Sequence, residues 1–187
     1  LQWLGGIGII VIAIAIFPIL KIGGMQLFQS EFSSKEEKVL PRTTKIATGI
    51  GFVYFFLTII CSFSLFITGM SGFDSLAHGM TIIATGGFST KDMSIGFFDS
   101  LYIEVVTIFF MILSSLPFIL LFQSIRGKLM DLVASSQVRF FLILIFSVTI
   151  LVAFWLKRYY EVDFFQSLRI SAFAVTSIST GSGFSTY

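Results

Sequence analysis

Residues 82–92 read Ile82-Ile83-Ala84-Thr85-Gly86-Gly87-Phe88-Ser89-Thr90-Lys91-Asp92, or IIATGGFSTKD. They close an apolar segment that starts near Phe73, and that segment is short. Residues 73–84 make about three helical turns, roughly 18 Å at 1.5 Å per residue, which is about half of a bilayer's hydrocarbon core. Two glycines then interrupt the helix, and the chain turns polar at KDMSIGFFDS, residues 91–100. The end of the chain, SISTGSGFSTY at residues 177–187, does the same thing. Gly87 matches Gly183, Phe88 matches Phe184, and Ser89-Thr90 match Ser185-Thr186, all at an offset of 96 residues. The segments before the loops also match, FDSL at 73–76 against FQSL at 165–168. The second copy therefore has four more residues between its start and its loop, about one helical turn. An internal repeat of this length decides the architecture before any single element does.

Composition says what surrounds the repeat. Of 187 residues, 56% are hydrophobic and only 12% charged, and mean hydropathy is +0.97. Soluble domains carry about a quarter charged residues. With 24 Phe against 10 acidic residues, the chain cannot cover a water-facing surface. The expected fold class is an all-α polytopic membrane protein. The net charge of +2 gives no reason to expect a nucleic-acid partner; the expected surroundings are a lipid bilayer. Cys61, the single cysteine, cannot pair within the chain and reads as a small packed apolar residue. Leu1 is no initiator, and Tyr187 stops just past a polar motif, so the expectation is an internal piece of a longer protein.

The pass along the chain gives alternating spans and half-spans. Residues 1–22 hold a span, WLGGIGIIVIAIAIFPIL from Trp3, with Gly5, Gly6 and Gly8 permitting close helix approach. A charged loop follows at 23–42, with a short helix start at Ser33-Ser34-Lys35-Glu36-Glu37. Residues 43–125 form one complete unit: a span to about Met70, a half-helix at 73–84 with Asp74 as its expected N-cap, a loop at 84–90, and a span at 101–125 containing Pro117. A second loop occupies 126–137. Residues 138–187 start the unit again, with a span to about Leu156, a half-helix from Asp163 to Ile178, and the second glycine loop. The segments 21–45 and 126–139 hold eight of the twelve Lys and Arg. By the positive-inside rule these face the cytoplasm, and both GFST stretches face outward.

A loop at membrane depth leaves backbone polar groups unpaired, so it survives only inside protein or against water. A single GGFST is adequately explained as a turn between two helices. Two copies, each after a half-length helix, point to pore loops. A row of backbone carbonyls can replace the hydration shell of a monovalent cation, and glycine supplies the positive φ needed to aim them. A half-helix entering from outside also turns its C-terminal, partly negative end toward the pore centre.

Span, half-helix, glycine loop and span form the repeating unit of the Trk/Ktr/HKT superfamily of potassium transporters, which this chain resembles. The resemblance is carried most specifically by WLGGIGIIVIAIAI (3–16), PILKIGGMQLFQSE (18–31) and IATGGFSTKDMSIGFFDS (83–100), and is of the TrkH type, the membrane subunit of bacterial Trk systems. It departs at LSSLPFILLF (113–122). The resemblance implies four repeats in a whole protein, each giving one filter loop with one critical glycine, here Gly87 and Gly183. This chain would then hold the last span of repeat one, all of repeat two, and repeat three up to its filter. The implied ion-binding residues are Ala84, Thr85, Gly86, Gly87 and Phe88 with Thr180, Gly181, Ser182, Gly183 and Phe184. Thr85 to Gly87 and Gly181 to Gly183 would lie closest to potassium (K+). Also implied are potassium uptake across a bacterial cytoplasmic (inner) membrane, with proton or sodium coupling, a homodimer, and a cytosolic nucleotide-binding regulatory subunit of the TrkA kind. The basic loops are its natural docking surfaces.

Other residues have plainer readings. His78, the single histidine, reads as a polar contact of the half-helix rather than a metal ligand. Arg169 either lines an outer vestibule or pairs with Asp163 or Glu161. Asp74, Asp92, Asp99 and Glu104 either concentrate cations at a mouth or are simply solvated. Lys35-Glu36-Glu37-Lys38 reads as a wetted helix face. No residue is arranged for bond chemistry, so no enzyme is expected. The rivals are a sodium-selective or non-selective carrier of the same superfamily, a structural membrane protein, and an intramembrane serine protease. The last would use Gly181-Ser182-Gly183 as a nucleophile turn and needs a base beside it, yet His78 lies 104 residues upstream in the other copy.

Overall fold

The computed structural model describes residues 1–6, 39–160 and 163–186, with side chains from residue 47 onward in the first long helix. The rest of the span expected at 3–20, the loop at 23–42 with its helix start at 33–37, and Glu161 lie outside the described residues. Every regular element among the described residues is helical. Two are long and apolar enough to cross a membrane: α1, Val39–Ile67, through its segment Ala47–Ile67, and α6, Ser136–Tyr160. Large apolar side chains stand exposed along both, among them Phe52, Phe56, Phe63, Phe146 and Phe154. That is the surface of a helix whose solvent is lipid.

Each long helix is followed by a shorter one that folds back along it. α2, Gly72–Ile83, lies against α1, and α7, Phe164–Ser179, lies against α6. The half-helices have 12 and 16 residues, so the extra turn expected from sequence sits inside the second helix. The N-cap of α2 differs from the one expected. Ser71, not Asp74, is the N-cap of α2; its hydroxyl oxygen accepts from the Asp74 N–H at 3.1 Å. Asp74 sits in the first turn, where a negative charge suits the partly positive end of a helix. Asp163 does cap α7, accepting from the Phe165 N–H at 3.0 Å.

After α2 the chain runs through the first loop and a 3-10 turn, Ser94–Phe98, to α3, Leu101–Ser114. The span expected at 101–125 is not continuous. It breaks at Ser115-Leu116-Pro117, and α4, Phe118–Ile125, leaves at 98° to α3. Pro117 has no N–H to continue the helix and its ring clashes with the preceding turn. Phe118 fastens the bend by packing edge-on against Tyr54 of α1, with centroids 5.7 Å apart. A short helix, α5, Leu129–Ala134, interrupts the expected loop at 126–137.

One apolar core joins the two units. Cys61 and Leu65 of α1, Ile82 and Ile83 of α2, Met111 of α3, Phe173 of α7 and Phe184 of the second loop pack together. Cys61 is fully buried, in keeping with its reading as a packing residue. Both glycine loops are therefore held on the same core.

Candidate functional site

The C-terminal ends of the two half-helices open onto one cavity of about 650 Å³. Ile83, Ala84 and Thr85 from the first and Ser179 and Thr180 from the second line it, and the broken helix closes one side through Ser114 to Phe118. Two partly negative helix ends thus meet in one space, an arrangement that favours a cation.

The loops that follow have the same backbone. The caps Ala84 and Thr180 are right-handed, Thr85 and Gly181 have φ of +52° and +73°, and Gly87 and Gly183 have φ of +71° and +75°. Gly86 and Ser182, between them, are not in the left-handed region. In an extended strand successive carbonyls point to opposite sides. Changing the sign of φ at alternate residues cancels that alternation and lets neighbouring carbonyls face one way. Glycine adopts this backbone without cost, and Thr85 adopts it against the preference of a β-branched residue.

The backbone N–H groups are secured in matching fashion. Gly86 N–H donates to the Thr81 carbonyl at 2.8 Å and Ser182 N–H to the Ser177 carbonyl at 3.1 Å. Thr85 and Gly181 donate to the carbonyls of Ile82 and Ile178. The first pair are the six-to-one and the second pair the five-to-two bonds of a helix that ends in a left-handed residue, and they satisfy the N–H groups that lead into each loop. The two loops converge: a Cβ placed on Gly87 would overlap the Ser182 carbonyl oxygen.

Not every implied ion-binding residue is placed alike. Ala84, Thr85 and Thr180 line the cavity, and Gly86, Gly87 and Gly181 to Gly183 follow them in the chain without lining it. The Gly86 carbonyl accepts from the Gln2 side-chain amide at 3.0 Å. The carbonyls of Phe88 and Phe184 are engaged from behind, by Thr81 Oγ1 at 2.9 Å and Ser177 Oγ at 2.7 Å. The Phe184 ring is buried and lies 6.2 Å from the His78 ring, while Phe88 is exposed. Gln2, Thr81 and Ser177 carried no sequence signal of their own. Thr81 and Ser177 share the 96-residue offset, which would have revealed that pair.

The charged residues have partners the sequence did not suggest. Asp74 accepts from the Thr90 hydroxyl at 2.6 Å and the Ser71 hydroxyl at 2.9 Å, with Lys91 Nζ at 3.5 Å. The Thr90 and Ser71 hydrogen bonds, with Lys91 nearby, hold its carboxyl below the usual carboxylate range. Arg169 does not pair with Asp163, which caps its own helix. It reaches across to repeat two, where Nε and Nη2 donate to the two Glu104 carboxylate oxygens at 2.7 and 2.8 Å, and Asp99 lies at 3.8 Å. Asp74 and Glu104 are thus structural partners and not free mouth charges. Ser182 contacts Thr180 Oγ1 and Met111 Sδ, each at 2.9 Å, and has no imidazole among these partners. His78 is committed to Asp74 and Ser89. Among the described residues, Ser182 and His78 are thus not paired as the nucleophile and base of a protease.

The TrkH family, described as cation transport proteins, matches residues 1–186. The chain is 40% identical to the Trk system potassium uptake protein TrkH of Halomonas elongata, over 99% of this chain and 39% of that protein. It is 36% identical to the TrkH protein of Escherichia coli K12, over 100% of this chain and 39% of that one. The crystal structure of the potassium transporter TrkH from Vibrio parahaemolyticus superposes with a TM-score of 0.81 at 32% identity, covering 100% of this chain and 38% of that chain. The chain thus spans about two fifths of the length of these relatives.

Proposed function

The chain belongs to the TrkH family of cation transport proteins, and on that premise we propose that it supplies two of the filter loops through which a whole protein takes up potassium. The observation that carries the reading is the pair of half-helices ending on one cavity and continuing into loops of matching φ pattern. A cation leaving water loses its hydration shell. Aligned carbonyls from residues 84–87 and 180–183 can replace it, while both helix ends stabilise the charge in the cavity below. Phe88 and Phe184 then anchor the loops through their carbonyls instead of binding the ion. Nothing is chemically transformed, and the driving force is the ion gradient and membrane potential.

The remaining parts follow from the same reading. Residues 1–22 are the last span of repeat one, 43–125 are repeat two and 138–187 begin repeat three; the other two loops complete the ring. The segments 21–45 and 126–139, with eight of the twelve Lys and Arg, would face the cytoplasm of a bacterial inner membrane, where a TrkA-like nucleotide-binding subunit would dock on a TrkH-type homodimer. The test uses the full-length protein in cells without their own potassium uptake, scored by growth at low potassium. Wild type restores growth, and Gly87→Ser and Gly183→Ser each reduce it. Growth equal to wild type from both variants would leave the glycines as ordinary turn residues.

A further inference from the structure

The first filter loop is fastened to its own half-helix by three polar side chains, and the second loop keeps only one of them. Asp74, His78 and Thr81 are spaced i, i+4 and i+7, so they share one face of α2. As the helix descends, the loop returns upward along that face. Asp74 Oδ1 accepts from the Thr90 hydroxyl at 2.6 Å, His78 Nε2 meets Ser89 Oγ at 2.9 Å, and the Thr81 hydroxyl donates to the Phe88 carbonyl at 2.9 Å. His78 is fully buried, and Asp74 and Thr81 are each 8% exposed. The proton positions follow from the partners. The Asp74 carbonyl, 2.8 Å from His78 Nδ1, can only accept, so Nδ1 carries the proton. In the neutral ring Nε2 then accepts from the Ser89 hydroxyl, and Ser89 Oγ in turn accepts the Lys91 N–H at 3.1 Å.

At the 96-residue offset the corresponding residues of α7 are Ile170, Ala174 and Ser177. Only Ser177 remains polar, and it holds the Phe184 carbonyl. The end of the second loop is secured from repeat two instead. The Gly96 N–H donates to the Ser185 carbonyl at 3.2 Å, and Ser94 Oγ accepts the Ser185 N–H at 3.3 Å. The Phe184 ring then leans on His78 itself. The three-rung face therefore fixes loop one directly and borders loop two.

We propose that Asp74, His78 and Thr81 are positioning residues that hold the first loop from behind, through the Thr90 and Ser89 hydroxyls and the Phe88 carbonyl, and so set how well the pore separates potassium from sodium. The proposal rests on the filter reading above. The reasoning is geometric. Discrimination between ions of one charge depends on where carbonyls sit and how far they can yield. A loop without its rungs collapses more readily around a smaller ion, so selectivity suffers before throughput does.

The experiment measures the ratio of rubidium to sodium influx in cells expressing the full-length protein, at matched membrane abundance. Thr81→Val keeps the shape and removes the hydroxyl; Thr81→Ser keeps the hydroxyl. Ser89→Ala removes the His78 rung from the loop side and leaves the buried ring in place. Loss of one hydrogen bond predicts a ratio lowered about threefold or more in Thr81→Val and Ser89→Ala, and close to wild type in Thr81→Ser. Gly87→Ser is the internal reference. A ratio that falls in Gly87→Ser but is unchanged in Thr81→Val and Ser89→Ala overturns the proposal and leaves the filter reading intact. An equal fall in Thr81→Ser and Thr81→Val also overturns it, since packing and not the hydroxyl would then matter. An unchanged ratio in Gly87→Ser as well removes the filter reading with it.

Discussion

Breaking the ion pair between Arg169 and Glu104 should destabilise the protein unequally from its two ends. The Glu104 side chain is 7% exposed and that of Arg169 is 32% exposed. Two unit charges about 4 Å apart attract by about 4 kcal/mol at an effective dielectric constant of about 20. Desolvation of the carboxylate offsets part of this. Fully buried pairs cost about 3–5 kcal/mol to break from one side, and exposed pairs about 0–1 kcal/mol. An arginine one-third exposed lies between, so the coupling should be about 2 kcal/mol. Arg169→Gln is the worse single change, because it leaves a buried carboxylate without its guanidinium. Glu104→Gln is milder, because Arg169 retains water and Asp99 at 3.8 Å. With the carboxylate gone, losing Arg169 costs only its weaker contacts, Asp99 among them, so the double variant should fall below Glu104→Gln by less than Arg169→Gln falls below wild type. The assay is thermal unfolding of the full-length protein and the three variants in one detergent. Additive losses, or an Arg169→Gln variant more stable than Glu104→Gln, would refute the reasoning.

Two further outcomes follow from local geometry. Gly79 is where α2 approaches α1: a Cβ there would overlap Ser62 Oγ and lie 3.0 Å from the Ser62 backbone nitrogen. Gly79→Ala should cost about 1–3 kcal/mol by overpacking, and adding Ser62→Ala should recover part of it, read by thermal unfolding. Asp74 sits in the first turn of α2, outside the two helices long enough to span, with a lowered pKa. Its contribution is therefore present above the unfolded carboxyl value of about 3.9 and is lost as pH falls through the lower folded value. Asp74→Asn should flatten the fall in unfolding temperature below about pH 4; an unchanged acid limb would contradict the assignment.

The parts legible in the sequence are those written in local pattern. The glycine loops, the half-length helices and the extra turn of α7 all follow from spacing, because helical rise and bilayer thickness are fixed lengths. The 96-residue repeat located both loops. What stayed hidden depends on pairing across distance. Arg169 and Glu104 are 65 residues apart, and nearer acidic residues offered themselves first. Asp74 looked like a cap because its side chain suits one, yet Ser71 lies one step outside the helix, where a cap belongs. The break at Pro117 was concealed by continuous hydrophobicity, since a spanning segment and a broken one have the same composition. The rungs behind the first loop are ordinary polar residues on a helix face, and they gain meaning only once the loop folds back along it.

The central claim is that carbonyls of the two loops face one cation. Its most direct test is anomalous diffraction from crystals of the full-length protein grown with thallium in place of potassium. The account predicts a peak within coordination distance of carbonyls from residues 84–87 and 180–183, on the outer side of the cavity lined by Ala84 and Thr180. Bound thallium elsewhere along the pore, with those carbonyls turned away from it, would contradict the account.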